Sequence, residues 1–552
     1  MISRLQWLAS AAVLAGTAVG CAELEPATAG VSVRTAALSA CSGGAGNAFS
    51  EIAELQVTVV HNPSTPDQKP TAFEKRQGLG GSKTITIGEI PEGTDEDVTL
   101  VGYTDGKPSW FGRRRHVIVN QGQDNPVQLA LSKFGGFSCP KADAEYTHRL
   151  FPTTTPLGGG KYLIAGGLTS TAAGGAASFV STEASRKAYI YDAWTGKVTK
   201  VASLMAAGRG AHAAVLVRGA TKNRVLLIGG TQKLTFDPPA GSGFGWKYDL
   251  QDALQSVEVF EYSATGSPAD GTFKTGLAGM RNKRVFPTAN VVSTDGLTLI
   301  CAGGQWTSDD KNEYKECEVW DTIADATLAV SNNFLNIYRA GVASAVVQSG
   351  EVTQLLFYGG ARQGEVAELY TSSTGQRDGV GGNFRKLDVQ DTPHSFFPTL
   401  TPIGNNRFLL IGGVNFEGAS FAAPNQANAH LLTVRYEGST PVIDQEAVGG
   451  LTVGRYFHTT LAPAGNRVVV LGGFTGTDLT ATDDIRYYKA GTGLIPPDSA
   501  GKLTARGGMG AVLLDNDTML IAGGISAAAD LATDQAGTLE VYTPSNLLPI
   551  LQ

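Results

Sequence analysis

Apolar runs that close on two glycines recur seven times along this chain. The doublets stand at Gly166-Gly167, Gly229-Gly230, Gly303-Gly304, Gly359-Gly360, Gly412-Gly413, Gly472-Gly473 and Gly523-Gly524. A period of about 60 residues is the scale of a repeat architecture. Each repeat keeps one internal order. A segment opening on Arg or His leads into a β-prone run, as from Arg209 to Val217. A short polar turn then leads to the run before the glycines, as from Val225 to Ile228. After a loop of variable length, a third run ends on an aromatic residue: Tyr191, Phe260, Trp320, Tyr370, Tyr487 and Tyr542. In repeat five His430–Tyr436 fills that place. A poorer fourth run, such as Lys197–Val201, follows in most repeats.

Three or four short strands per unit make a propeller blade. The second run is apolar without alternation, as expected of a strand covered on both faces by neighbouring blades. The leading Arg, the run before Gly-Gly, and the third strand with its Glu (Glu258, Glu318, Glu368, Glu540) before an aromatic residue resemble the kelch repeat from about residue 145 to 552. The resemblance, which extends to the central domain of galactose oxidase, implies an all-β fold with a seven-bladed kelch-type β-propeller over residues 139–552. The aromatic residue that ends a kelch fourth strand is mostly missing here, and several loops are long. Two segments are candidates to complete the last blade: Leu547–Leu551, or a strand from residues 127–147.

Ahead of the repeats the pattern changes. Residues 1–20 read as a lipoprotein signal peptide: Arg4 is the positive region, and Leu5 to Ala18 is apolar and small. Ala18-Val19-Gly20-Cys21 resembles a bacterial lipobox, which implies a lipid on Cys21. Ala22 and Glu23 follow with no Asp, which by resemblance to enteric lipoproteins favours the outer membrane, on its periplasmic side or at the cell surface. Small and polar residues over 21–47 are expected to form a flexible tether. Alternating runs, such as Leu55–Val60, Val98–Tyr103 and His116–Val119, predict a small antiparallel β-sandwich over 48–138. That stretch loosely resembles transthyretin-like and carboxypeptidase-regulatory-like accessory domains.

Composition narrows the function classes. The chain of 552 residues carries a net charge of −7 and no polybasic stretch, so no nucleic-acid partner is expected. Setting Cys21 aside leaves Cys41, Cys139, Cys301 and Cys317, an even number in an oxidising compartment. Three connectivities are possible. The preferred one joins Cys301 to Cys317 across a hairpin and Cys41 to Cys139 around the sandwich; free buried thiols at 301 and 317 are the alternative. Neither pair has zinc-ligand spacing.

Candidate binding residues fall in two places. Long loops after the doublets of blades one, two and five would crown one face, with Trp246 and Tyr248 in the second and Phe416 and Phe421 in the third. In the sandwich, Trp110 stands beside Arg113, Arg114 and Arg115, a group suited to an anionic glycan, a lipid head group or a protein. The other expectation there is a hairpin with buried aromatics and solvated arginines.

The channel offers two further constellations. Arg209, Arg284, Arg339, Arg455 and Arg506 each open a first strand, so a ring of guanidinium groups around an anion is one reading. Pairing of each Arg with the recurring Glu of a third strand is the other, and recurrence in blade after blade favours it. Kelch propellers also include copper radical oxidases, whose chemistry needs a Tyr cross-linked to a Cys, a second Tyr and two His. His148, His212, His394 and His458 lie at or near first strands, but no Tyr-His pair occurs and the cysteines read as structural. Nucleophile-elbow, phosphate-loop and zinc-protease motifs are missing. The expectation is therefore an envelope lipoprotein, neither enzyme nor cofactor protein, whose propeller binds a protein or glycan. A carbohydrate-active enzyme of isomerase or copper oxidase type, with its site at the channel, is the alternative. A structural subunit of an envelope assembly is another.

Overall fold

The computed structural model describes residues 28–547 apart from 42–47, 63–68, 81, 142–145, 170–171, 174–178, 182, 238–244, 307–310, 329–333, 349–351, 362–365, 373–381, 390–394, 418–419, 425–428, 450, 464–466, 477–478, 498–500, 528–529, 531–538 and 546. The signal segment, Cys21 and His394 lie outside the described residues. Among the described residues no helix is long and apolar enough to cross a membrane.

Seven antiparallel sheets form a seven-bladed β-propeller. Blade two shows the plan: Ala213–Val217 lies innermost, then Lys222–Ile228, Val257–Ser263 and Thr272–Phe273. The second strand of each blade is the driest. Val225, Leu226, Leu227 and Ile228 are all fully buried, because both faces of that strand meet a neighbouring blade. Alternate residues supply different interfaces. Val225 and Leu227 pack toward blade one, Leu226 and Ile228 toward blade three.

The ring is closed by the N-terminal part of the chain. Blade seven runs Gly507–Leu513, Met519–Ile525, Leu539–Thr543, and then Gly136–Cys139 with Ser39–Ala40 outside it. Ser138 pairs with Val541 and Ser39 with Cys139. Of the two candidate closing segments, the earlier one is used. Residues 136–138, expected at the end of the sandwich, thus belong to the last blade. Disulfides join Cys41 to Cys139 and Cys301 to Cys317.

The sandwich departs from expectation at its start. Thr28–Ala37, read as tether, is a ten-residue strand lying parallel to Asp124–Lys133 and antiparallel to Thr84–Pro91. Its alternation sends Val31 and Val33, both fully buried, into the core against Leu55, Val57 and Leu100. The small residues around those valines, Ala29, Gly30, Ser32 and Thr35, hid the alternation. The remaining strands run Thr71–Gly78, Glu54–His61, Gly93–Thr104 and Lys107–Val119, all antiparallel, and Lys107–Val119 pairs with Asp124–Lys133, so the two layers of the sandwich are one seven-stranded sheet folded around its core.

This domain is seated on the propeller by the segment singled out for binding. Trp110 is 1% exposed within the sandwich core. Arg113 bonds Asp97 at 2.8 Å and Asp517 at 3.3 Å, and Arg115 bonds Asp517 at 2.5 Å. Arg114 lies 3.7 Å above the Trp194 ring. These arginines are half-buried and engaged within the chain, rather than fully solvated. They bind the turn of blade seven and the edge of blade one, whose charge and ring face complement them.

Candidate functional site

The axis is organised by a repeated backbone conformation. Two residues after the leading Arg, or after Ser395 in blade five, every blade places a residue with positive φ. These are Phe151 (55°), Ala211 (52°), Phe286 (52°), Gly341 (58°), Phe397 (57°), Phe457 (49°) and Gly508 (68°). Left-handed backbone is unfavourable for a side-chain-bearing residue and persists only where surrounding contacts fix it. The contacts here are hydrogen bonds from blade to blade. Phe151 N donates to Gly508 O, Ala211 N to Phe151 O, Phe286 N to Ala211 O, Phe397 N to Gly341 O, and Gly508 N to Phe457 O, at 2.7, 3.2, 2.9, 2.7 and 2.9 Å. The left-handed turn directs each N–H along the belt, toward the preceding blade.

That turn also throws four phenylalanine rings onto the axis. Phe151, Phe286, Phe397 and Phe457 pack with ring centroids 4.5 to 5.4 Å apart, a mutually supporting arrangement of edges and faces. Trp246 packs on the same rings, 5.6 Å from Phe151 and 5.3 Å from Phe457. Its indole N–H donates to the Tyr456 hydroxyl at 3.3 Å. Trp246 and Tyr248 are 1% and 4% exposed, so they do not form a crown for a partner. Their loop pairs with the loop of blade one, in the strand order Ala172–Ala173, Phe179–Ser181, Leu234–Phe236, Trp246–Lys247. It turns its aromatics inward because the hub supplies apolar contact that solvent does not. Phe416 and Phe421 stand opposite each other in the hairpin of Val414–Glu417 and Ser420–Pro424; their side chains lie outside the description.

Against the phenylalanine layer lies a cavity of about 260 Å³ to which all seven blades contribute. Trp246 does not line it. Pro287, Val342, Pro398 and Met509 add apolar wall, and Gly341 and Gly508 leave room where the other blades carry side chains. The only polar side chains of the lining are His212, Thr399 and His458. His458 Nε2 is 3.0 Å from the Thr399 hydroxyl, and His212 Nε2 is 2.8 Å from that of Thr153. Burial, with the guanidinium of Arg209 nearby, holds His212 well below its ordinary pKa. Burial, with Arg455 nearby, pushes His458 down to about 3. Both imidazoles are therefore uncharged at neutral pH.

The leading arginines do not reach this cavity. Each turns back into its own blade and is almost fully buried. Arg209 bonds Gly229 O at 2.8 Å and Glu258 at 3.3 Å; Arg284 bonds Ala302 O at 2.7 Å and Glu318 at 2.9 Å. Arg339 bonds Gly359 O at 2.7 Å and Glu368 at 2.9 Å. Arg455 pairs with Asp484, and Arg506 with Glu540 at 3.2 Å. The guanidinium bonds the carbonyl of the doublet's first glycine, or in blade three that of Ala302 just before it, and the acid neutralises it. No cationic ring faces the axis, and the recurrence of Arg with Glu has this structural cause. In blade one, Tyr189 stands where the acid would, and Arg149 lies over its ring and that of Tyr146 instead.

No protein-family profile and no curated protein matches this sequence. Among solved structures, the chain is similar to a fungal alcohol oxidase of the AA5 family, determined in complex with copper. The identity is 14% and the TM-score 0.50, over 75% of this chain and 76% of that one. This likeness establishes the β-propeller fold.

The residues of the cavity do not fit copper radical chemistry. Its wall carries no tyrosine and no cysteine, and phenylalanines fill the axis. The four described cysteines are paired in disulfides. Among the described residues, one group of three potential ligands converges, Cys41, Cys139 and Glu540, and its sulfurs are bonded to each other. Of the four candidate histidines, His212 and His458 line the cavity and His148 does not. Sequence reasoning missed the phenylalanines. Aligning the repeats on the leading Arg would have shown Phe at one position in four of seven.

Proposed function

We propose that this chain is a lipid-anchored envelope protein whose kelch-like propeller binds a ligand on its axis and does not catalyse a reaction. The observation that carries the reading is the composition of the axial cavity. Every blade contributes to it, yet its side chains offer only hydrocarbon, one hydroxyl and two uncharged imidazoles. Such a wall can enclose and orient a molecule. Its one hydroxyl, Thr399, is paired with His458, but an imidazole whose pKa is pushed down to about 3 is a weak base, and the lining carries no charged acid–base pair. The envelope location rests on Arg4, the apolar run after it and the lipobox-like residues ending at Cys21.

The test uses the full-length protein purified from detergent-solubilised envelope. Molecules released on denaturation are identified by mass spectrometry, and the copper-supplemented protein is assayed for peroxide production from sugars and primary alcohols. A co-purifying molecule with peroxide no greater than a copper-only blank is the expected result. Turnover above that blank would refute the binding reading and restore the oxidase alternative.

A further inference from the structure

We infer that the axial cavity takes a small neutral molecule with a flat or ring-shaped apolar body and a single hydrogen-bonding end; the inference rests on the binding reading above. Size comes first. At about 260 Å³ the cavity lies just below the range that holds drug-sized ligands, so its occupant has on the order of ten to fifteen non-hydrogen atoms. Shape comes next. The layer of four phenylalanines presents ring faces and edges, which match another flat apolar body by offset or edge-to-face contact.

Charge is decided by what surrounds the site. The cavity is open on one side, so a carboxylate or ammonium seated against the phenylalanine layer would lose part of its water and find no counter-ion among the lining side chains. The nearest strong charges on the neighbouring elements are Arg209 and Arg455. Both are fully buried, and both are committed to acids and carbonyls of their own blades, Arg209 to Glu258 and Arg455 to Asp484. A neutral hydroxyl or carbonyl avoids that cost. It finds the Thr399–His458 pair on one side of the cavity and His212 on the other. Nε2 of each imidazole is already shared with a threonine and each Nδ1 is buried, so the Thr399 hydroxyl, which both donates and accepts, is the group that meets the polar end of the ligand, which can be of either kind.

The position of the site on the belt of left-handed residues adds a reason for its persistence. Glycine would satisfy the backbone at all seven positions without strain, and three blades do use Gly or Ala there. Four blades carry phenylalanine in spite of the strain. Their rings form one face of the cavity, while Gly341 and Gly508 keep it open.

The experiment is equilibrium dialysis of the full-length protein at pH 7 with four probes built on one ring system: naphthalene, 2-naphthol, naphthalene-2-sulfonate and 1-naphthylmethylammonium. Saturable binding of naphthalene and 2-naphthol is expected, 2-naphthol tighter, with the two ions at least tenfold weaker. Val342→Trp fills the cavity and should abolish binding of both neutral probes. Thr399→Val keeps the shape, and should erase most of the preference for 2-naphthol over naphthalene while leaving naphthalene bound. Ions bound as tightly as neutral probes would overturn the ligand class. Neutral binding untouched by both variants would overturn the cavity as the site. If no probe binds, the inference fails. The binding reading itself is judged separately, by the molecule recovered from envelope-purified protein and by the peroxide assay.

Discussion

Replacing Glu368 tests the reading of the arginine–acid pairs. Its carboxylate is fully buried in the third strand of blade four. It accepts Arg339 Nε at 2.9 Å, the backbone N–H of Asn336 at 2.6 Å and of Ile337 at 3.3 Å, and Asn336 Nδ2 at 2.9 Å. Glu368→Ala leaves a guanidinium with zero exposure without its neutralising acid, although the carbonyls of Gly359 and Val366 still accept from it. Removing one member of a buried pair costs about 3–5 kcal/mol, and the orphaned backbone donors place this site at the upper end. Glu368→Gln fills the space and keeps one acceptor oxygen, but its NH2 faces donors on the other side, so it should cost less than Ala while losing both the charge and one set of hydrogen bonds. The assay is urea unfolding followed by tryptophan fluorescence, run as a double-mutant cycle with Arg339→Met. The Arg339→Met/Glu368→Gln double variant should be more stable than the sum of the singles by about 2 kcal/mol, because neither charge is stranded. Additivity within about 0.5 kcal/mol, or a Glu368→Ala cost below about 1 kcal/mol, would refute the pairing as the reason Arg and Glu recur together.

Three other outcomes follow from the geometry. His458 has its folded-state pKa lowered to about 3, so its neutral form adds no penalty above the unfolded value near 6.5. As pH falls through the window between those values the folded state loses about 1.4 kcal/mol per pH unit from this group. H458Q should therefore lose about 2 kcal/mol less than the parent between pH 7 and pH 5, and equal losses in parallel urea titrations would contradict it. Asp517→Ala removes the acceptor shared by Arg113 and Arg115. It should cost about 1–3 kcal/mol and speed limited proteolysis at the seam between sandwich and propeller; an unchanged digestion pattern and unfolding midpoint would count against the docking role. A chain beginning at Lys141 lacks Gly136–Cys139 and the Cys41–Cys139 link. It should fail to refold as a monomer, whereas a cooperative monomeric unfolding transition would show that blade seven needs no closing strand.

The strongest sequence signals were those repeated in every blade. The doublets at Gly229-Gly230 and its six counterparts marked the ends of second strands because positive φ there admits little else. The aromatic third strands, Phe260 and Trp320 among them, were visible through their spacing, and the hairpin position of Cys301 and Cys317 pointed to their disulfide. Weak or misleading signals were those that depended on direction. Trp246 and Tyr248 sit in a glycine-rich loop, a context that suggests exposure, yet the loop folds over the hub. Arg113, Arg114 and Arg115 look like a ligand patch until their partner, the turn at Asp515–Asp517, is brought alongside. The strand at Thr28–Ala37 carries an alternation, Val31 then Val33, too short to stand out against small polar neighbours.

The sequence alone determined the blades. Strands within a blade are consecutive and joined by hairpins, so hydrophobic period, turns and glycines specify them locally. Only the tertiary structure decided what meets at the axis, at the ring closure and at the sandwich seam. Those contacts join residues hundreds of positions apart, as Arg115 to Asp517 and Ser132 to Thr543, separated by 402 and 411 residues. A side chain's local pattern says that it wants burial or a partner, but not which one. The phenylalanines reach the axis where hydrogen bonds from blade to blade hold the backbone left-handed, and those bonds exist only once neighbouring blades have packed, the one from Phe151 to Gly508 only once the ring has closed.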